Sequence, residues 1–164
     1  MKKLQLHLLD TPNDLDIKDR RKIAEAINPL LADTFALFVK TKNFHWHMSG
    51  HHYRDYHLML DEQSVQIFAM IDVLAERVRK LGEKTIQSIG QIKELKSIKD
   101  NNETLSAEGM LADLLQDNKD FLISMRAVHE VCSKRNDVAT TSILENYIDE
   151  TERRVWFLFE TLAK

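Results

Sequence analysis

Five of the seven histidines in this 164-residue sequence, His45, His47, His51, His52 and His57, fall within thirteen positions. Carboxylates follow at helical intervals: Asp61 stands four residues after His57, and Glu76 stands four after Asp72. Residues four apart share one face of an α-helix, so each pair can address a single ion. Imidazole together with carboxylate suits iron, zinc or manganese. Mixed nitrogen and oxygen ligation that leaves positions open suits iron redox chemistry.

Both pairs are read onto one helix, and its length decides how they can be used. Asp72 lies fifteen residues beyond His57, which at the helical rise is about 22 Å along the axis. One copy of the helix therefore cannot close both pairs on one cluster. Two antiparallel copies related by a twofold near residues 66–67 would set His57 and Asp61 of one beside Asp72 and Glu76 of the other. Isologous contacts of this kind are the commonest in homo-oligomers. The expectation is a site shared between subunits, two to a dimer. Rival chemistries lack their motifs: there is no Glu-x-x-His, His129-Glu130 is followed by Val131, Cys132 and Ser133, and there is neither a Walker loop nor Gly-x-Gly-x-x-Gly.

The elements that must hold these residues are helices. Only four glycines and two prolines are present, too few for the many tight turns of a β-rich chain. Apolar residues recur at three- and four-residue intervals over about 18–47, 54–81, 107–133 and 137–162. The first stripe runs through Ile23, Ile27, Leu30, Leu31, Phe35, Phe38 and Val39, with Pro29 inside it. Either a helix begins near Pro29 after a short turn, or a longer helix is kinked there. Gly82 is a natural stop for the second segment and Ser106 a natural N-cap for the third. The fourth carries Ile143, Leu144, Tyr147, Ile148, Val155, Trp156 and Phe159, and Trp156 and Phe159 are read as core.

Short links, MSGHHY and KRND, make antiparallel neighbours, whereas residues 83–105 are long and polar around a small amphipathic piece (Ile89, Ile92, Leu95, Ile98). The fold class expected is all-α: two helical hairpins joined by one long crossover containing a short helix, the ferritin-like four-helix bundle. One domain spans 1–164, with residues 1–17 a flexible N-terminal extension.

Hydrophobic residues make up 43% and charged residues 30%, ordinary for a globular chain. A net charge of −3 gives no global reason to bind nucleic acid. The single cysteine, Cys132, excludes an internal disulfide and fits a reducing cytosol; it is read as a buried or half-buried spectator. No apolar run is long enough to span a bilayer, and polar residues interrupt MKKLQLHLLD before a signal sequence develops. A cytoplasmic protein without membrane partners is expected.

The run LLADTFALFVKTKNFHWHMSGHHYRDYHLMLDEQ (Leu30 to Gln63) resembles the signature of the Dps family, the DNA-binding proteins from starved cells. IDVLAERVRKLG (Ile71 to Gly82) and DVATTSILENYIDETERRVWFLFETL (Asp137 to Leu162) are similar to later parts of that family. The resemblance covers nearly the whole chain beyond about residue 20. It implies that His45, His57 and Asp61 come from one subunit and Asp72 and Glu76 from its twofold partner, together holding two irons per intersubunit site. It also implies a hollow homo-oligomeric shell of twelve subunits that oxidises Fe(II), preferably with hydrogen peroxide, and stores ferric mineral. A paired site suits that oxidant. Peroxide needs two electrons to become water, and two irons supply one each without releasing hydroxyl radical.

Trp46, beside a ligand, admits two readings, a quencher of stray oxidising equivalents or a packing residue. His47, His51 and His52 are expected at the surface. Asp137 and Glu145 lie where the family builds acidic iron-entry pores, although acidic residues also stabilise helix starts. The chain ends Leu162-Ala163-Lys164, and Lys2 and Lys3 precede an acidic stretch. With no Lys/Arg-rich tail to grip phosphates, DNA binding is expected to be weak or absent. A nucleoid-associated DNA-binding protein with incidental iron binding is the alternative reading.

Overall fold

In the computed structural model, which describes residues 9–163, each long helix but the second starts on a side chain that caps it. Asp16 accepts from the Lys18 amide at 2.8 Å and opens α1 (Ile17–His47). Pro29 lies within α1, which runs through it as one element. The missing N–H costs an intrahelical bond, but Ile27, Leu30 and Leu31 around it are fully buried, and that packing outweighs the local loss. α2 (Tyr53–Lys80) ends where expected. Gly82 takes φ +79°, and a Cβ there would meet Arg20 Nη1 at 3.0 Å, so both backbone and space demand glycine.

The crossover contains α3 (Ile89–Leu95), capped by Ser88, and is followed by α4 (Ala107–Ser133), capped by Ser106, and α5 (Val138–Leu162), capped by Asp137. The most extensive packing is α1 on α2 and α4 on α5, with α1 also against α4 and α3. These are two hairpins joined by one long crossover, an all-α four-helix bundle.

Of the segment expected to be a flexible extension, residues 1–8 lie outside the described residues. The remainder is fastened to the end of α2 and to α1: Thr11 Oγ1 donates to the Arg79 carbonyl of α2 at 3.0 Å, and the Arg20 guanidinium of α1 reaches Asp10 at 3.3 Å. Asp33 anchors the crossover. Its carboxylate, on the buried side of α1, accepts from the Ser97 amide (2.5 Å), the Ser97 hydroxyl (2.7 Å) and the Ile98 amide (3.0 Å). Asp33→Ala orphans these donors and is expected to cost about 2–4 kcal/mol in urea unfolding, with faster amide exchange at Ser97 and Ile98. An unchanged midpoint would show that the crossover is held by Ile98 burial alone.

Trp156 and Phe159 correct the expectation of a core role, for each is 59% exposed. The buried stripe of α5 runs instead through Thr140, Leu144, Thr151, Arg154 and Leu158. Trp156 lies two residues from both Arg154 and Leu158, and so faces away from the bundle. Val39, placed on the core stripe of α1, is also exposed.

Candidate metal centre

His45 lies in the last turn of α1 and His57 in the second turn of α2, and the short link between the helices brings them together. His45 Nδ1 lies 2.8 Å from the His57 carbonyl oxygen, and His57 Nδ1 lies 2.9 Å from the His45 carbonyl oxygen. The rings stack with centroids 3.7 Å apart. A carbonyl can only accept, so each Nδ1 carries the proton. In the neutral imidazole the lone pair then falls on Nε2, with the ring orientation fixed by the Nδ1 hydrogen bond, the arrangement that prepares imidazole for a metal. The His45 carbonyl is free for this because α1 ends two residues later and offers it no intrahelical donor.

Asp61 extends the group. Its Oδ1 lies 3.9 Å from His45 Nε2 and 2.8 Å from Lys42 Nζ. The hydrogen bond and charge of Lys42 hold the Asp61 carboxyl below the usual range, against the opposing effect of desolvation. Lys42 was not singled out from the sequence, although its position three residues before His45 puts it on the same helix face.

Asp72 and Glu76 are exposed on α2, remote from this group, and Glu76 pairs with Lys80 at 3.2 Å. Among the described residues, no three His, Cys, Asp or Glu side chains of one chain are gathered as a metal requires. Helical steps place His57, Asp61, Val65, Phe68, Asp72 and Glu76 within a stripe of about 100° on α2. Val65 and Phe68, midway along it, are 64% and 59% exposed. Phe68 also meets Phe38 of α1 at 5.1 Å.

Other candidates separate. His47, His51 and His52 are exposed, as is Trp46. Asp137, a pore candidate from the sequence, is buried within the chain: its side chain is 1% exposed and pairs with Arg77 at 2.7 Å. Glu145 is exposed and meets His129 at 3.0 Å. Cys132 is fully buried, and burial together with the charge of Asp137 pushes its thiol up to about 12. No helix among the described residues is long and apolar enough to cross a membrane.

Comparison with known proteins agrees with this architecture. The ferritin-like domain model matches residues 24–164. A low temperature-induced protein of Nostoc sp. is 32% identical over 143 residues, covering 86% of this chain and 80% of that protein. DNA protection during starvation protein 1 of Deinococcus radiodurans is 30% identical over 145 residues, covering 88% of this chain and 70% of its own length. The crystal structure of the Vibrio cholerae Dps protein, described as a member of a broad superfamily of ferritin-like diiron-carboxylate proteins, superposes with a TM-score of 0.88 at 26% identity over 94% of this chain and 98% of that one. By its bundle, its crossover and these likenesses, the chain belongs to the ferritin-like domain family and, within it, to the Dps proteins.

Proposed function

We propose that this protein oxidises Fe(II) at centres completed by two subunits and stores the ferric product inside a hollow shell of twelve. The observation that carries the reading is the order of residues along one face of α2. A prepared imidazole and carboxylate stand at one end, a second pair of carboxylates at the other, and exposed Val65 and Phe68 between them. An apolar strip between ligand pairs favours a second copy of the chain over open water. A twofold through it sets His45, His57 and Asp61 of one protomer opposite Asp72 and Glu76 of its partner.

Iron is the substrate here, and the donor set suits it: two imidazole nitrogens and up to three carboxylates, which favour the harder Fe(III) ion. Two Fe(II) each give one electron to hydrogen peroxide, which takes up two protons to become two waters. Asp61 must exchange its Lys42 hydrogen bond for iron, and Glu76 its Lys80 pairing. Dioxygen is the alternative oxidant, and the cytoplasm is the proposed compartment.

Stopped-flow Fe(II) oxidation with peroxide tests the reading. His57→Ala and Glu76→Ala are each expected to slow it on the order of a hundredfold; a wild-type rate in either would remove that residue from the centre. The relatives' names concern DNA protection, and here protection is assigned to iron removal. A gel shift at about 150 mM salt is expected to show no retardation, and tight binding there would favour the nucleoid-associated alternative.

A further inference from the structure

The histidine stack continues by one more ring. Tyr53 opens α2 one helical turn before His57, on the same face. Its ring centroid lies 5.1 Å from that of His57, at a tilt of 30°, within the range of direct aromatic contact. His57 in turn stacks on His45 at 3.7 Å. The three rings form a row that runs from a phenol 45% exposed to solvent to both imidazoles of the proposed centre. A ring so exposed adds little to the core. The other oxidisable rings near the centre are placed differently. Trp46 follows His45 directly, about 100° further round α1, and lines the groove between α1 and the crossover. Tyr56 faces His52 at 5.6 Å, and Tyr147, the last of the three tyrosines, lies on α5.

In the proposed centre the two halves are unequal. One protomer brings His45, His57 and Asp61, and its partner brings two carboxylates and no imidazole. A first iron held by the imidazole half can therefore meet peroxide before a second iron arrives. That iron gives one electron where peroxide needs two, and the shortfall is what releases hydroxyl radical.

We propose that Tyr53 supplies, through the His57 ring, the second electron to peroxide when a centre holds a single iron. This role rests on the iron-oxidising reading of the shared centre. Fe(II) becomes Fe(III), and the Tyr53 phenol becomes a neutral tyrosyl radical as its proton passes to solvent. The O–O bond of peroxide breaks, and its oxygens take two protons from solvent and leave as two waters. A later Fe(II) gives one electron to the radical, which takes up a proton and is a phenol again. Tyr53 acts through His57 and is a relay rather than a ligand. Its exposure gives the departing proton a path to water.

Rapid-freeze electron paramagnetic resonance of the full-length protein, mixed with peroxide at one Fe(II) per centre and at two, tests the relay. A tyrosyl signal is expected at one Fe(II) and should fall severalfold at two. Tyr53→Phe keeps the ring and its packing but is hard to oxidise. It should lose the signal and release severalfold more hydroxyl radical to a spin trap. Tyr53→Trp should show a tryptophanyl signal instead and restore the low hydroxyl yield, a pattern that a merely structural ring does not produce. Tyr56→Phe should behave as the wild type. A wild type that oxidises iron without a tyrosyl signal overturns the proposal and leaves the centre standing. So does a signal that survives in Tyr53→Phe, or a hydroxyl yield that this substitution does not change. A wild type that oxidises no Fe(II) overturns the reading of the centre, and the relay with it.

Discussion

Equal amounts of His57→Ala and Glu76→Ala chains, unfolded and refolded together, are expected to recover about a quarter of wild-type Fe(II) oxidation, although either alone is nearly inactive. Random pairing makes about half of the dimers mixed, and a mixed dimer has one centre with both substitutions and one with neither. His57 and Glu76 are nineteen residues apart on a single helix, about 28 Å by its rise. No bending of α2 could bring them to one ion within a chain. A centre built inside one subunit predicts no recovery at any mixing ratio, because every copy would carry a defect. Circular dichroism of each variant separates loss of a ligand from loss of fold. The same mixture made with His57→Ala and Asp61→Ala should recover nothing, since both residues belong to the same half of the centre.

Asp137→Ala is expected to destabilise the fold by about 3–5 kcal/mol, a large share of the roughly 5–15 kcal/mol that holds a domain of this size. The Asp137 carboxylate accepts from the Thr140 amide at 3.0 Å, the Thr140 hydroxyl at 2.5 Å and Arg77 Nη2 at 2.7 Å, while Arg77 Nε donates to Thr140 Oγ1 at 2.8 Å. Truncation uncaps α5 and strands a guanidinium whose side chain is only 11% exposed. Urea unfolding measures the loss. Adding Arg77→Met should restore part of it, because removing both charges is far less costly than removing one. A single-variant loss under about 1 kcal/mol would show that solvent reaches Arg77 and that the cap alone is at stake.

Asp137 illustrates how local pattern and tertiary environment divide the information. An acidic residue at a helix start is compatible with a pore lining and with a cap. Only the arrival of Arg77, sixty residues earlier in the chain, makes it a buried ion pair. Similarly, the periodicity of α5 marks an apolar stripe, but a stripe does not say which face meets the bundle. Arg154, 1% exposed, is buried in place of Trp156. Its Nε donates to Asn118 Oδ1 at 3.0 Å and its Nη2 to Thr151 Oγ1 at 2.6 Å, and burial pushes the guanidinium down to about 10. Asn118 comes from α4, so hydropathy along α5 alone cannot anticipate a polar residue in the core.

The histidine cluster with which the sequence reading began divides the same way. Residue spacing alone determined four helices, the short helix in the crossover and the separation of His57/Asp61 from Asp72/Glu76, because helical rise and periodicity are properties of a single segment. Tertiary structure decided that each imidazole donates Nδ1 to the other's carbonyl, that Lys42 occupies Asp61, and that Val65 and Phe68 remain exposed between the ligand pairs. Those features depend on which side of α1 meets α2, and packing between helices selects it.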